Sequence, residues 1–212
     1  MFVNTFMQKT LTEKEAENFL EKEKFTVIKR ATITNNEQVK TLTKTINFPW
    51  AMKLSSTKIA HKAQVGGVIL NIMNSMAAQE AFDKLSKIDG FEEAIVQEMF
   101  SGEEAIIGIK KTPEFGHVIL FGHGGSNVEK EKDVSFRVLP ASKKELKDMI
   151  KETKFYKTLE EKDIPLDSIE KNISKIQDLV KKHPNIIELD INPLTLSKTK
   201  AKIIDARIVM EE

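Results

Sequence analysis

The strongest constraint on the fold is a run of strand-like segments in the middle of the chain. These segments are rich in β-branched and other apolar residues, and they cover residues 94–99, 105–109, 117–121 and 134–139. Elsewhere in the chain, helical and strand-like patterns alternate. The combination predicts an α+β fold with two sheets or two lobes, rather than one doubly wound parallel sheet.

The flanking segments add helices to this framework. Residues 11–24 have helical spacing, and Thr12 with Glu15 has the spacing of a capping box. A second strong helical pattern begins with Pro165 in its first turn and ends at Pro184. The polar stretch 154–163 between helical segments is predicted to be an exposed loop. A boundary between lobes is predicted near residues 97–102.

Composition limits the class of protein. The chain has 212 residues, no cysteine and a formal net charge of +1, so a disulfide framework and a cysteine nucleophile are excluded. The absence of a basic excess argues against nucleic acid or an anionic membrane as a partner. No apolar run approaches membrane-spanning length, and the start of the chain does not read as a secretory signal. We therefore expect a cytoplasmic protein.

Two segments in the first half carry residues suited to phosphate chemistry. Lys53 ends an apolar strand, where its ammonium group could hold a phosphate, although an edge-strand lysine that blocks aggregation has the same pattern. His61 precedes two glycines and a strand, where it could act as a base or as a nucleophile toward phosphorus. A solvated loop histidine is the simpler reading of His61 on its own.

A glycine-rich turn contains Gly122, His123, Gly124 and Gly125. Its spacing is neither that of a P-loop nor that of a dinucleotide fingerprint, so it could be a phosphate-covering turn or a plain hairpin. Arg137 lies on the strand that follows. It is either a phosphate contact or half of a surface ion pair with Asp133.

A candidate metal site lies near the end of the chain. Asp190 and Asn192 are two residues apart on a predicted strand, so their side chains point to the same side. A carboxylate and an amide oxygen beside a polyphosphate are ligands that Mg²⁺ prefers. The alternative is an ordinary strand end at which Asn-Pro makes a turn.

These features, in this order, resemble the ATP-grasp domain of ADP-forming acyl-CoA synthetases, of the archaeal acetyl-CoA synthetase β-subunit type. The β subunit of succinyl-CoA synthetase is more distantly similar. The resemblance runs from about Leu11 to Val209. It rests most on KKTPEFGH (110–117), KDVSFR (132–137) and ELDINPL (188–194), with LTEKEA (11–16) and DARI (205–208) also fitting.

The resemblance implies an ATP-grasp fold, in which two α+β lobes clamp a nucleotide between them. Residues 1–98 would form the N-terminal lobe and residues 99–212 the C-terminal lobe. It also implies ATP or ADP and Mg²⁺ as bound groups. The residues that it places at the nucleotide are Lys53 at the phosphates, Gln97, Glu98 and Met99 at the adenine, Glu104 at the ribose, and Gly122, Gly124, Gly125 and Arg137 around the site.

The resemblance further implies that Asp190 and Asn192 hold magnesium and that His61 is a catalytic histidine that carries phosphate. The reaction would be reversible: acyl-CoA, ADP and phosphate would give acid, CoA and ATP. A separate CoA-binding α subunit, in a hetero-oligomer, would supply the CoA and acyl sites.

The chain departs from the family pattern at several positions. Ala63 and Gln64 stand where the family has serine and aspartate, and His123 stands where it has leucine. A glycine- and arginine-containing loop after residues 154–157 is missing. These departures leave two alternatives open, namely a degenerate non-catalytic ATP-grasp subunit and another ATP-grasp ligase, such as a carboxylate–amine ligase.

Overall fold

The computed structural model describes residues 7–56, 58–59, 62–125 and 132–212. The chain forms two compact units. The smaller is Ile28–Phe100, and the larger combines Met1–Val27 with Ser101–Glu212. In the described part of the chain, no helix is both long enough and apolar enough to cross a membrane.

The larger unit contains an antiparallel sheet with the strand order β1-β11-β9-β6-β7-β8, and β10 pairs with β9. The strands are β1 (Gln8–Thr10), β6 (Glu103–Thr112), β7 (Gly116–His123), β8 (Val134–Val138), β9 (Ile186–Leu196), β10 (Ala201–Ile203) and β11 (Ala206–Glu211). Its helices are α1 (Glu13–Lys22), α4 (Lys143–Lys151), α5 (Phe155–Glu161) and α6 (Leu166–Lys182).

The helices of the larger unit share one core with one face of this sheet. That core joins Leu20 of α1, Met149 of α4 and Ile176 of α6 to sheet residues such as Ile107 and Leu189, all at most 1% exposed. Because side chains alternate along a strand, the residues between these buried positions point to the other face. We call it the second face, and it carries Glu104, Gly108, Lys110, Leu120, Phe136, Glu188, Asp190, Asn192 and Arg207.

The smaller unit is an antiparallel sheet with the order β2-β5-β3-β4 and two described helices. Its elements are β2 (Arg30–Ile33), α2 (Glu37–Leu42), β3 (Trp50–Ser55), β4 (Val68–Ile72), α3 (Ser75–Leu85) and β5 (Glu93–Glu98). Trp50 is fully buried in its core, together with Phe82 and Leu85, and the indole N–H donates to the carbonyl of Ile46 at 3.1 Å.

The predicted capping box at the start of the first helix is confirmed. Thr12 and Glu15 form a reciprocal capping box at α1, with the Thr12 N–H donating to the Glu15 carboxylate at 2.8 Å. This pair satisfies backbone donors that a helix start leaves open. Ser142 and Glu145 form the same arrangement at α4.

The stretch 154–163, predicted as a loop, contains helix α5. Asp133, distant in sequence, accepts hydrogen bonds from the N–H groups of Lys154 and Phe155 at 2.8 and 2.7 Å. Phe155 and Leu159 are also buried in the core. The prediction was wrong because the helix depends on a cap and on packing that lie outside the stretch itself. Asp133 therefore caps a helix rather than pairing with Arg137.

The division into units differs from the expected lobes 1–98 and 99–212. The second boundary, after Phe100, falls within the predicted region 97–102. The start of the chain, however, groups with the larger unit, since β1 pairs with β11 and α1 packs against the same strand. The pairing of β1 with β11 joins the two ends of the chain, and local sequence patterns do not reveal such a long-range pairing.

Candidate functional site

The candidate site is built on strand β9, whose residues alternate between the core and the second face. Leu189 and Ile191 are at most 1% exposed in the core. Asp190 and Asn192 alternate with them and point to the second face, as the spacing predicted. The two candidate metal ligands are therefore side by side on one surface of the sheet.

Asn192 is held in place by the glycine-rich turn. Its side-chain oxygen accepts a hydrogen bond from the N–H of Gly125 at 2.8 Å. Because only the oxygen of an amide side chain can accept this bond, the orientation of the Asn192 amide is fixed. Among the described residues, no second hydrogen bond reaches that oxygen. A β-carbon on Gly125 would lie 2.2 Å from Oε2 of Glu104. The structure thus brings together Glu104, Gly125 and Asn192, three of the predicted site residues.

The carboxylate of Asp190 lies in an unfavourable environment for its charge. Burial, together with the carboxylates of Asp205 and Glu188, raises the pKa of Asp190 to about 6, against a partial opposing effect of Arg207. Among the described residues, none donates a hydrogen bond to the Asp190 side chain. Binding of a cation would neutralise the Asp190 carboxylate and remove the unfavourable effect of its buried charge.

Asp205 is a site residue that the sequence reasoning missed. Its carbonyl accepts a hydrogen bond from the Asn192 N–H at 3.2 Å, and its carboxylate is close enough to raise the pKa of Asp190. The signal lay in the DARI segment, which begins with this aspartate. Once the last two long strands are recognised as an antiparallel pair, Asp205 falls beside Asn192.

The donor set fits a hard divalent cation. Asp190, Asp205 and Asn192 offer two carboxylates and one oriented amide oxygen, which are the oxygen ligands that Mg²⁺ prefers. Within the described ranges, no group of three or more His, Asp or Glu side chains is placed to hold a metal. Substrate phosphates and water usually complete the coordination of Mg²⁺.

The glycines of the turn allow its backbone to pack directly against the backbone of neighbouring segments. A β-carbon on Gly124 would lie 2.4 Å from the carbonyl carbon of Ala105, and one on Gly122 would lie 2.2 Å from the carbonyl oxygen of Asp133. Between them, His123 stacks on Phe155 with ring centroids 4.7 Å apart. His123 thus packs toward the helices and not toward the second face.

Arg137 lies apart from the other site residues of the larger unit. It pairs in the sheet with Ile119, which is fully buried, and its guanidinium binds the Glu152 carboxylate of α4 at 2.5 and 3.0 Å. That bond holds the pKa of Glu152 below its usual range. Arg137 therefore points to the helix-bearing face, away from the predicted site residues on the second face.

The remaining predicted residues belong to the smaller unit. Lys53 lies on the central strand β3, between Ile95 and Val68, and it is 6% exposed, so it is not an edge-strand lysine. Gln97 is 1% exposed on β5.

Two backbone N–H groups of the predicted adenine-binding residues already donate hydrogen bonds within the smaller unit. The N–H of Glu98 donates to the carbonyl of Lys29 at 3.1 Å, and that of Met99 to the carbonyl of Pro49 at 2.8 Å. These two donors are therefore not available to a base in this structure. His61, the predicted catalytic histidine, lies outside the described residues.

Comparison with known proteins places the chain in a family. The ATP-grasp domain family matches residues 4–210. The β subunit of ADP-forming acetate–CoA ligase I from Pyrococcus furiosus is 34% identical, over 94% of this chain and 91% of the relative. ADP-forming acetate–CoA ligase II from Archaeoglobus fulgidus is 36% identical over 95% of this chain. The chain spans only 30% of the length of that relative and 28% of ligase I from the same organism.

Solved structures agree. Dinucleotide-forming acetyl-coenzyme A synthetase 1 of Ca. Korarchaeum cryptofilum, in complex with coenzyme A, Ca-AMPCP and HgCl⁺, matches with a TM-score of 0.87 and 31% identity, over 96% of this chain and 94% of that chain. Another structure of the same protein, with coenzyme A and Mg-AMPPCP, has its phosphohistidine segment pointing towards the nucleotide binding site. This chain therefore belongs to the ATP-grasp family, alongside the β subunits of ADP-forming acetate–CoA ligases.

Proposed function

We propose that the chain is the nucleotide-binding β subunit of an ADP-forming acyl-CoA synthetase, an acid–thiol ligase. In this role it transfers a phosphoryl group between a phosphohistidine and ADP, with Mg²⁺ bound. The observation that carries the proposal is the position of Glu104, Asp190 and Asn192 on the second face, with Gly125 bonded to Asn192 and the Asp205 carboxylate near Asp190. The names of the relatives and the nucleotide analogues in the Korarchaeum structures support the same reading.

The acidic end of this group would hold the metal. Asp190, Asp205 and the side-chain oxygen of Asn192 would bind Mg²⁺, which supplies charge neutralisation for the phosphates. The hydrogen bond from Gly125 orients the Asn192 oxygen before the ligand arrives. Such preorganisation lowers the cost of binding, because the amide does not have to be ordered at that moment.

Glu104 and Lys53 are two further residues that we propose as nucleotide contacts, each considered within its own unit. The Glu104 carboxylate, packed against Gly125, would accept hydrogen bonds from the ribose hydroxyl groups. Lys53, on β3 of the smaller unit, is the proposed phosphate contact of that unit. A lysine on a central strand has a rigid base, which suits a point-charge contact.

The proposed chemistry is phosphoryl transfer, in which positioning and charge neutralisation supply most of the catalysis. In the direction of ATP use, the unprotonated imidazole nitrogen attacks the γ-phosphorus and an N–P bond forms. The bond from that phosphorus to the bridging oxygen breaks, and its electron pair leaves with ADP. His61 is the histidine of this chain that we propose for the relay, and a separate α subunit would bind CoA and the acyl group.

Nucleotide binding tests the first half of the proposal. We expect isothermal titration to show binding of Mg-AMPPCP by the wild-type chain and a loss of affinity in Asn192→Ala. Asn172→Ala is the matched control, since Asn172 on α6 donates only to the Ser168 carbonyl among the described residues. No binding by the wild-type chain at millimolar nucleotide would reject the proposal.

Turnover tests the second half and separates it from the degenerate alternative. The altered residues Ala63 and Gln64, next to His61, favour that alternative. Reconstitution with an α subunit should give CoA-dependent ATP turnover, and labelled phosphate should appear on His61. Binding of nucleotide without turnover in the reconstituted complex would instead assign the chain to a non-catalytic subunit.

A further inference from the structure

Next to the candidate metal site, one carboxylate holds two cations on the second face. Oε2 of Glu188 lies 2.6 Å from Nζ of Lys110, and Oε1 of Glu188 accepts a hydrogen bond from Nη1 of Arg207 at 2.9 Å. The carboxylate is 26% exposed, whereas the two cations are 64% and 59% exposed. The Glu188 carboxylate is thus the more buried group, and the two cationic side chains bound to it are exposed to solvent.

Arg207 is the direct neighbour of Asp190 in the sheet. The two residues are partners in the antiparallel pair of β9 and β11, and on its other side Asp190 faces Gly108 of β6. Gly108 has no side chain, so of the two residues that flank Asp190 in the sheet only Arg207 carries a charge. Its charge acts on the Asp190 carboxylate without a direct hydrogen bond among the described residues.

The site residues follow one another in a line along β9. Glu104 and Gly125 lie at the Asn192 end, Asp190 comes next, and Glu188 with its two cations follows. Successive same-face residues of a strand are about 6.6 Å apart. A nucleotide with its ribose at Glu104 and its metal-bound phosphates at Asp190 would therefore point its terminal phosphate toward Arg207.

The surface beyond Asp190 has room for such a group. A cleft of about 390 Å³ is lined by Arg207, Glu188, Lys110, Lys111 and Glu211, among other residues. Its three cations outnumber its two carboxylates, so the cleft favours an anion. Arg207 uses one N–H group on Glu188 in the described structure, and a planar guanidinium has further donors that match phosphoryl oxygens in pairs.

We propose that Arg207, positioned by Glu188, contacts the phosphoryl group that is transferred at this site. The inference deepens the proposed function and rests on it. A stability role accounts poorly for this arginine, because exposed ion pairs contribute little to the free energy of unfolding. Arg207 would neutralise the charge of the terminal phosphate in both the ATP and the phosphohistidine states.

The test compares nucleotides that differ only in their phosphates. Titration calorimetry would measure the dissociation constants of Mg-AMPPCP, Mg-ADP and AMP for the wild-type chain, Arg207→Gln and Arg207→Lys. We expect Arg207→Gln to weaken Mg-AMPPCP about tenfold or more, which is the effect of losing one charge-assisted hydrogen bond, to weaken Mg-ADP less and to leave AMP unchanged. Arg207→Lys keeps the charge but loses the paired N–H donors of the guanidinium. Its dissociation constant for Mg-AMPPCP should fall between those of the wild type and Arg207→Gln.

Arg137→Gln is the matched control, because it removes an arginine from the opposite face of the same sheet. Its affinities for all three nucleotides should equal those of the wild type. Unchanged Mg-AMPPCP affinity in Arg207→Gln, or an equal loss for AMP, would overturn the inference while leaving the proposed function in place. Failure of the wild type to bind any of the three would remove the proposed function, and the inference with it.

Discussion

The side-chain oxygen of Asn192 accepts a hydrogen bond of 2.8 Å from the backbone N–H of Gly125. In the sheet, β6 lies between the strand of Asn192 and the strand that precedes Gly125. The glycine turn therefore crosses the start of β6, where the N–H of Gly124 donates to the Glu104 carbonyl at 2.7 Å. One short segment thus ties the proposed metal end of the site to the proposed ribose end.

Gly125→Ala should impair nucleotide binding through Glu104. The new methyl group would lie 2.2 Å from Oε2 of that carboxylate, a flexible side-chain end that can move away, so the site changes more than the fold. Gly116→Ala is the control, since both glycines have positive φ (82° and 68°) but a β-carbon on Gly116 meets nothing within 4 Å. Each alanine should cost about 1 kcal/mol of unfolding free energy for its backbone conformation.

The measurement for this pair is titration with Mg-AMPPCP alongside urea unfolding. We expect equal losses of stability and a loss of affinity in Gly125→Ala alone. Equal affinities in the two variants would mean that the position of Glu104 does not matter for the nucleotide, and the ribose assignment would then have to be abandoned.

Gly124→Ala should destabilise the larger unit more than either of these variants. Its β-carbon would lie 2.4 Å from the carbonyl carbon of Ala105, and backbone cannot move aside as a side chain can. We expect a loss of at least about 2 kcal/mol, the range of overpacking in a closely packed position. Urea unfolding at pH 7 measures it, and a loss no larger than that of Gly116→Ala would show that the turn is loosely packed.

Arg137→Gln should lower stability slightly and in a pH-dependent way. The guanidinium of Arg137, and then the hydroxyl of Ser135, hold the pKa of Glu152 below its usual range. A carboxyl whose pKa is lower in the folded state stabilises the fold above its unfolded pKa, and this stabilisation is lost as the pH falls through the folded pKa. Because Glu152 is 51% exposed, the difference should stay within about 1 kcal/mol.

Chemical unfolding of the wild type and Arg137→Gln at pH 7 and pH 3 would check this. The two proteins should differ at pH 7, and the difference should shrink as the pH is lowered toward 3. Lys147→Gln removes an ion pair of 3.4 Å between α4 and α6 and serves as a control for a weaker charge pair. A difference that persists at pH 3 would mean that Arg137 stabilises the fold by packing and not through Glu152.

The parts of this site that depend on local residue spacing could be predicted from the sequence. Asp190 and Asn192 were predicted to share a face because the strand period is two residues, and the structure agrees. Asp205 was missed because its role comes from the pairing of two strands, and no local pattern states that pairing. The same limit hid helix α5, whose start is capped by Asp133 from 21 residues away.

Arg137 shows a second limit of local patterns. Its position in the KDVSFR segment suggested a nucleotide contact, but the strand period puts it on the face of Ser135, whose hydroxyl donates to Glu152. The direction in which a strand residue points cannot be set from its own segment, because that depends on which face the helices cover. Burial of Ile119, its partner on β7, settles the direction.

Asp190→Asn should make the metal-free protein more stable above pH 6. Burial and the neighbouring carboxylates raise the pKa of Asp190 to about 6 from an ordinary value of 3.8. The folded state therefore binds more protons than the unfolded state between these values, so the wild type loses stability as the pH rises through this window. The difference between a pKa of 3.8 and one of about 6 corresponds to about 3 kcal/mol of unfolding free energy, which is an upper bound because the carboxylate is not fully buried.

Urea unfolding in EDTA at pH 4 and pH 7.5 would measure this gain. In EDTA, the variant should be more stable than the wild type at pH 7.5 and approach it at pH 4. In a separate series with Mg-AMPPCP and no EDTA, the ligand should stabilise the wild type but not the variant. Asp163→Asn is the control of opposite sign, since Lys198 holds the pKa of Asp163 below its usual range and positive φ suits asparagine there. If Asp190→Asn were less stable than the wild type at pH 7.5, the carboxylate would have a stabilising partner, and its exposure to an incoming cation would no longer hold.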